Sequence, residues 1–280
     1  MTLNDIYHAI DPVALSLGPL QIRWYGLAYV AGFICAFLVI AKLSQRWKIR
    51  INDDAFFTVV FCVIFGVILG GRLGYVLVYG DGYYLQHPEK ILAFNEGGMS
   101  FHGGLVGVII GGFIAAKITK IPFLTLADMG VVGVPIGLFF GRCANFINGE
   151  LWGAPTDMPW GVVFGGAAGT MPRHPSQLYE ALLEGVVLFI ILFALSRKTP
   201  ARPRGTFFGT FLLFYGLFRF TIEFIRQPDA QIGYLLGTHW FTMGQALSIP
   251  LMVAGVVFLI YAWKTKKPQM GLPDSEISQS

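Results

Sequence analysis

Seven stretches of this chain are apolar for long enough to cross a lipid bilayer as helices. A hydrocarbon core of roughly 30 Å takes about 20 helical residues at a rise of about 1.5 Å each. Hydrocarbon offers the backbone no water to bond, so such runs become helices that satisfy their own N–H and C=O groups. The runs predict helices at about 21–43, 55–80, 101–118, 122–147, 177–195, 206–226 and 239–263. The third is short and rich in glycine pairs. The fold class expected is therefore all-α: a polytopic membrane protein of about seven transmembrane helices.

Composition agrees with that reading and excludes others. The chain is 55% hydrophobic and 13% charged, too little polar surface for a soluble domain of 280 residues. A net charge of +4 does not point to nucleic acid, because most basic residues sit just beyond the ends of apolar runs. Cys35, Cys62 and Cys143 lie far apart among apolar neighbours, so neither a metal site nor an activated thiol is expected. The first twenty residues hold no Lys or Arg, so a basic leader segment is not expected. There is no internal repeat of the kind that marks many secondary transporters.

Loop charges orient the spans. One set of loops carries Lys42, Arg46, Lys48 and Arg50, then Lys117 and Lys120, then Arg197, Lys198, Arg202 and Arg204, and finally Lys264, Lys266 and Lys267. The opposite set offers Lys90, Arg173 and Arg226. Basic loops stay cytoplasmic, which predicts the N-terminus out and the C-terminus in. The longer outer loops, 81–100 and 148–176, then form a small outward-facing head, with Trp152 and Trp160 suited to the headgroup zone. Residues 1–267 are read as one transmembrane catalytic domain and 268–280 as a disordered cytoplasmic tail.

Charged residues inside the spans are costly unless they snorkel, pair or face a wet cavity. Arg23, Arg72, Arg142 and Arg219 remain once the loops are counted, and the orientation brings them toward one outward-facing layer. Tyr25, His102, Asn145, Glu150, Gln177, Tyr179, Glu180 and Glu223 fall in the same layer, while Asp128 lies near the inner end of its helix. Arg23 is explained by snorkelling. Arg219 and Glu223, four residues apart, form one face and neutralise each other in the simplest reading. Arg142 has no acid on its own helix face, so it needs a partner from another helix or from a ligand. Guanidinium forks match phosphate oxygens, and lipid headgroups are the phosphates at that depth. His102 adds a group able to move protons near neutral pH. The glycines near it, Gly97, Gly98, Gly103 and Gly104, fit close ligand approach and tight helix packing equally. The residues thus describe an enzyme that handles lipid phosphate. A channel or transporter would continue its polar lining through the inner helix halves, which are mostly apolar. A lipid flippase shares the need for headgroup contacts, and a scaffold leaves the arginines unexplained.

The stretch Gly141-Arg142-Cys143-Ala144-Asn145-Phe146-Ile147-Asn148-Gly149-Glu150-Leu151-Trp152-Gly153 resembles the signature of the bacterial prolipoprotein diacylglyceryl transferase family. Four further stretches resemble the same family in order: Arg23-Trp24-Tyr25-Gly26, Met99 to Gly104, Arg173 to Glu180, and Tyr215 to Phe220 followed by Glu223 through Asp229. The resemblance implies a seven-helix inner-membrane enzyme with its active site on the periplasmic side. It implies transfer of the diacylglyceryl group of phosphatidylglycerol to the lipobox cysteine thiol of a preprolipoprotein signal peptide, releasing glycerol phosphate, with no metal or cofactor and no nucleic-acid partner. Carried over by motif, the catalytic residues are His102, Arg142, Arg219, Tyr25 and Glu223. The substrate-binding residues expected are Arg142, Asn145, Gly153 and Tyr215 by the same motifs, with Glu150 and Gln177 added from the polar layer. On this reading Arg142 and Asn145 hold the headgroup, Arg219 follows the departing phosphate, and His102 either deprotonates the thiol or positions the lipid.

Overall fold

The computed structural model describes residues 1–18, 20–80, 82–93, 97–228 and 233–273. Asp229, at the end of the last motif, and residues 274–280 of the tail lie outside them. The described chain is mostly helical, and its residues group into two compact units: 1–43 with 128–268, and 44–127 with 269–280.

In the first unit a short helix, α1 (Leu3–Ala9), precedes a hairpin of β1 (Val13–Leu17) and β2 (Leu20–Arg23). The strands pair antiparallel, with Val13 opposite Arg23, and Gly18 turns between them at φ +61°. This hairpin is an addition to a mostly helical chain and moves the start of the first helix. Residues 20–23 pair with β1, so α2 (Trp24–Trp47) begins at Trp24 and Arg23 ends a strand. The rest of the unit carries α6 (Phe123–Asn148), α7 (Ser176–Glu180), a π-helical segment Ala181–Val187, α8 (Leu188–Ser196), α9 (Thr206–Ile222) and α10 (Met243–Thr265). Ser176–Ser196 is continuous and long enough to cross a membrane.

Glycines set the closest approaches in this unit. On α9 and α10, a Cβ on Gly255 would meet Leu213 N at 2.6 Å and Gly209 O at 2.8 Å, so these two helices touch backbone to backbone. Asp128, the acidic exception near the start of α6, has a structural task. Its two carboxylate oxygens each accept a 2.7 Å hydrogen bond, from Gly205 N and Phe208 N. These are orphan donors of the first turn of α9, and a negative charge there also opposes the helix dipole favourably.

The loop from 149 to 175 is an ordered head. Phe146, Val162, Phe164 and Ala168 form a small apolar core, with Leu3 and Tyr7 of α1 packed on it. Isolated bridges join Pro155 and Val162 to Arg173, whose guanidinium donates to Ala168 O at 2.8 Å and Gly153 O at 3.2 Å.

The second unit is built on α3 (Asp53–Tyr79) and α5 (Phe101–Thr119), with a one-turn helix α4 (Tyr83–Gln86) between them. Gly66, Gly70 and Gly74 of α3 face Gly103, Gly107 and Gly111 of α5. A Cβ on Gly107 or Gly103 would overlap the carbonyl oxygen of Gly66 or Gly70 respectively. Of the two readings of the glycines beside His102, Gly103 therefore serves helix packing. Gly104 is different: its Cβ position clears Val67 O by 3.7 Å. Arg72, 1% exposed, is wrapped by carbonyls, donating to Lys90 O at 2.7 Å, Ile91 O at 2.8 Å, Gly98 O at 3.2 Å and Gly97 O. It ties the ends of the 88–98 loop to α3. At the chain end, Met270 N and Leu272 N donate to Thr125 Oγ1 and Arg50 O.

Among the described residues six helices are long and apolar enough to cross a membrane: α2, α3, α5, α6, Ser176–Ser196 and α10. The apolar α9 is shorter, at 17 residues.

Candidate functional site

Four helix ends of the first unit converge on a buried ionic network. Arg142 comes from the C-terminal part of α6, Glu180 from the end of α7, and Glu184 from the π-helical segment. Arg219 comes from the last turn of α9, with Glu223 and Arg226 just after it. Arg142 Nε lies 3.0 Å from Glu180 Oε2, and its Nη2 lies 3.5 Å from Glu184 Oε2. Arg219 pairs with Glu180 Oε1 and, at 2.6 Å, with Glu223 Oε1. Arg226 reaches Glu223 Oε1 at 3.2 Å and Glu180 Oε1 at 3.9 Å. Thr242, the N-cap of α10, donates its hydroxyl to Glu223 Oε2 at 2.6 Å.

Glu180 is the hinge of this arrangement, since its two oxygens serve different arginines. Glu180 and Glu184 are completely buried and Glu223 is 3% exposed, whereas the Arg142 and Arg219 side chains keep 17% and 15% of their surface. The carboxylates are thus more deeply buried than the arginine side chains that pair with them. Buried carboxylates are tolerated only because each is paired. Gly244 makes room for one of them: a Cβ there would fall 2.6 and 2.7 Å from the Glu223 oxygens.

The π-helical turn carries part of the sequence's message. Such segments are rare and concentrate at functional sites. Here it contains Glu184, and Gly185 packs against Phe139 of α6 so closely that a Cβ would lie 2.7 Å from Phe139 Cβ.

The expected site residues divide into three groups. Arg142, Arg219 and Glu223 meet in the network as paired charges, with Tyr215 on α9 in electrostatic range of Arg142 and Arg219. Asn145, Glu150, Gln177 and Gly153 form a second layer around the head. Asn145 Nδ2 donates to Glu150 Oε1 at 2.8 Å, and Gln177 Nε2 donates to Glu150 O at 2.6 Å. Gly153 N donates to His174 O at 2.9 Å, and a Cβ on Gly153 would meet His174 Cβ and Ile225 O at 2.7 Å. Asn145 is therefore held by Glu150. Tyr25 stands half-buried at the start of α2, and His102 is exposed in the first turn of α5 in the second unit.

Two members of the network, Glu184 and Arg226, are missing from the expectation, and Glu180 had been placed in the polar layer without a role. By sequence Arg226 reads as a loop charge. The signal was present: Glu180 and Glu184 are four apart in an otherwise apolar run, as are Arg219 and Glu223.

Beside the network, an apolar groove of about 390 Å³ is lined by Leu182, Leu183, Ile222 and Ile225, with Trp160, His174 and Tyr179. The three aromatic residues are linked, Trp160 Nε1 donating to Tyr179 Oη at 2.6 Å and His174 Nδ1 lying 3.2 Å from it. Among the described residues no cluster of His, Cys, Asp or Glu is arranged to hold a metal ion.

Membrane-length helices enclosing a paired guanidinium–carboxylate network at one set of helix ends define a polytopic α-helical membrane protein with a buried ionic site. Comparison with known proteins places it more closely. The family model described as prolipoprotein diacylglyceryl transferase matches residues 12–261. Phosphatidylglycerol–prolipoprotein diacylglyceryl transferase of Geobacter sulfurreducens is 52% identical over 92% of this chain and 97% of its own length. The proteins of the same name from Nitratidesulfovibrio vulgaris and Cupriavidus metallidurans are each 49% identical, over 89% and 92% of this chain and 94% and 96% of theirs. The chain belongs to the prolipoprotein diacylglyceryl transferase family.

Proposed function

We propose that this protein transfers the diacylglyceryl group of phosphatidylglycerol to the thiol of a lipobox cysteine in a preprolipoprotein, the first step of lipoprotein maturation. The observation that carries the reading is the Arg142–Glu180–Arg219 bridge, which holds two arginine side chains on one buried carboxylate while each keeps part of its surface exposed. In the reaction the thiolate sulfur bonds to the glyceryl carbon, the bond from that carbon to the phosphate oxygen breaks, and glycerol phosphate leaves. Negative charge collects on the departing phosphate, and preorganised arginines are suited to stabilise it. The nucleophile arrives with the substrate peptide, so none of the protein's own cysteines needs activation.

In this scheme Arg142 holds the phosphate of the bound lipid and Arg219 follows it as it leaves. Glu223 orients Arg219 from behind, and Tyr25 and Tyr215 line the approach to the headgroup. The motif resemblance assigns His102 either the thiol proton or the positioning of the lipid. Asn145, Glu150, Gln177 and Gly153 maintain the shape of the head over the site. The enzyme is read as a seven-span protein of the bacterial inner membrane with its N-terminus out, its C-terminus in and its active site periplasmic, with α9 as the seventh span. The loop charges support that orientation. A transporter reading loses its best residue, because Asp128 caps α9.

The test is incubation of purified protein with phosphatidylglycerol and a lipobox peptide, followed by mass spectrometry of the peptide cysteine. A diacylglyceryl thioether formed by the wild type, and not by Arg142→Ala, is the expected result. Lipid binding without a covalent product would overturn the transferase reading in favour of a flippase.

A further inference from the structure

The ionic network sets a charge problem for any anion that enters it. Among the described residues it joins three guanidinium groups, Arg142, Arg219 and Arg226, to three carboxylates, Glu180, Glu184 and Glu223. The arginines are compensated before a ligand arrives. A phosphodiester adds one negative charge where no carboxylate is more than 3% exposed. Seating it on Arg142 gives the site one more negative charge than positive, and an ionised carboxylate left undercompensated in a low-dielectric interior is strongly disfavoured. Protonation removes that penalty.

The three carboxylates are not held alike. Glu180 touches all three arginines. Glu223 has Arg219 at 2.6 Å, Arg226 at 3.2 Å and the Thr242 hydroxyl at 2.6 Å. Among the described residues Glu184 pairs with Arg142 alone, at 3.5 Å, and its buried Oε1 has neither a hydrogen-bond nor an ion-pair partner. Around Glu184 the charged and titratable groups are Arg142 of α6, Glu180 of α7, and Arg219 and Tyr215 of α9. Glu184 is thus the carboxylate most weakly held and the one whose acid form loses least.

We propose that Glu184 makes headgroup binding proton-coupled: when an anionic headgroup takes Arg142, Glu184 releases that guanidinium and takes up one proton from the medium. Glu184 acts through Arg142, so it is a positioning residue. The choice of headgroup rests on the functional reading above, while the coupling rests on the network's charge count and geometry.

The experiment is calorimetric titration of the full chain in detergent with short-chain phosphatidylglycerol. Each pH is run in two buffers of different ionisation enthalpy. The wild type is expected to take up about one proton per lipid bound, with Kd rising by up to about tenfold per pH unit once Glu184 is ionised in the free protein. Glu184→Gln is already neutral, so its binding heat should not depend on the buffer and its Kd should stay flat with pH. Wild-type binding with equal heats in both buffers overturns the proposal, and so does a Glu184→Gln variant that still takes up the proton. The wild-type measurement decides the matter by itself if the variant does not fold. Absence of any phosphatidylglycerol binding would instead overturn the functional reading, and the proposal with it.

Discussion

Arg142 Nε stands 3.0 Å from Glu180 Oε2, and the two residues come from different helices 38 positions apart in the chain. The contact answers the question that a lone arginine near the end of an apolar run poses, because the missing counter-charge is supplied by a neighbouring helix. It also makes Glu180 a structural member of the site, since its other oxygen is bound to Arg219.

Removing that carboxylate leaves the three guanidinium groups it touches undercompensated. Glu180→Ala is expected to lower stability by about 3–5 kcal/mol, the usual cost of breaking a buried pair from one side. Thermal unfolding in detergent checks this. An unfolding temperature equal to the wild type's would mean that the arginines find other partners.

The packing of α3 on α5 predicts a contrast between two glycines three positions apart. Gly107→Ala should cost roughly 1–3 kcal/mol, because its methyl would enter the Gly66 carbonyl. Gly104→Ala should be neutral or slightly stabilising, having 3.7 Å of clearance. Comparing the denaturation midpoints of the two variants tests whether α3 and α5 touch in this register.

Asp128 is predicted to matter for stability and not for chemistry. Asp128→Ala leaves Gly205 N and Phe208 N without their acceptor, which should cost about 0.5–2 kcal/mol, as loss of a helix cap does. Thioether formation well below the unfolding temperature should be unchanged. A variant that is stable yet inactive would reassign Asp128 to the reaction.

His174 lies in the head, outside the spans, and partial burial holds its imidazole below the usual histidine range. The unfolded chain therefore binds this proton more readily than the folded one, and the contribution of neutral His174 is lost as pH falls below about 6.5. His174→Gln should flatten the part of the stability–pH curve between about pH 7 and the folded-state value. An unchanged curve would show that the titration of His174 contributes nothing to acid sensitivity.

The long helices were legible because hydrophobic run length is a local property. The predicted 55–80, 101–118, 122–147 and 177–195 agree with Asp53–Tyr79, Phe101–Thr119, Phe123–Asn148 and Ser176–Ser196 to within a few residues. The hairpin before α2 was missed because strand residues Leu20–Arg23 continue directly into the apolar helix, and hydropathy alone does not mark that change of period. Family membership was legible too, because a long gapless motif such as Gly141–Gly153 rarely arises by chance.

The sequence by itself thus determined the membrane-length helices, the family and the arginines around which a site had to form. Only the tertiary structure decided how those arginines are compensated. Glu180 between Arg142 and Arg219, Glu184 behind Arg142, and Arg226 joined to Glu223 are matters of which helix faces meet. The physical reason is range. Backbone satisfaction in lipid is settled within each helix, whereas a buried charge is settled by groups that the chain brings together from far apart.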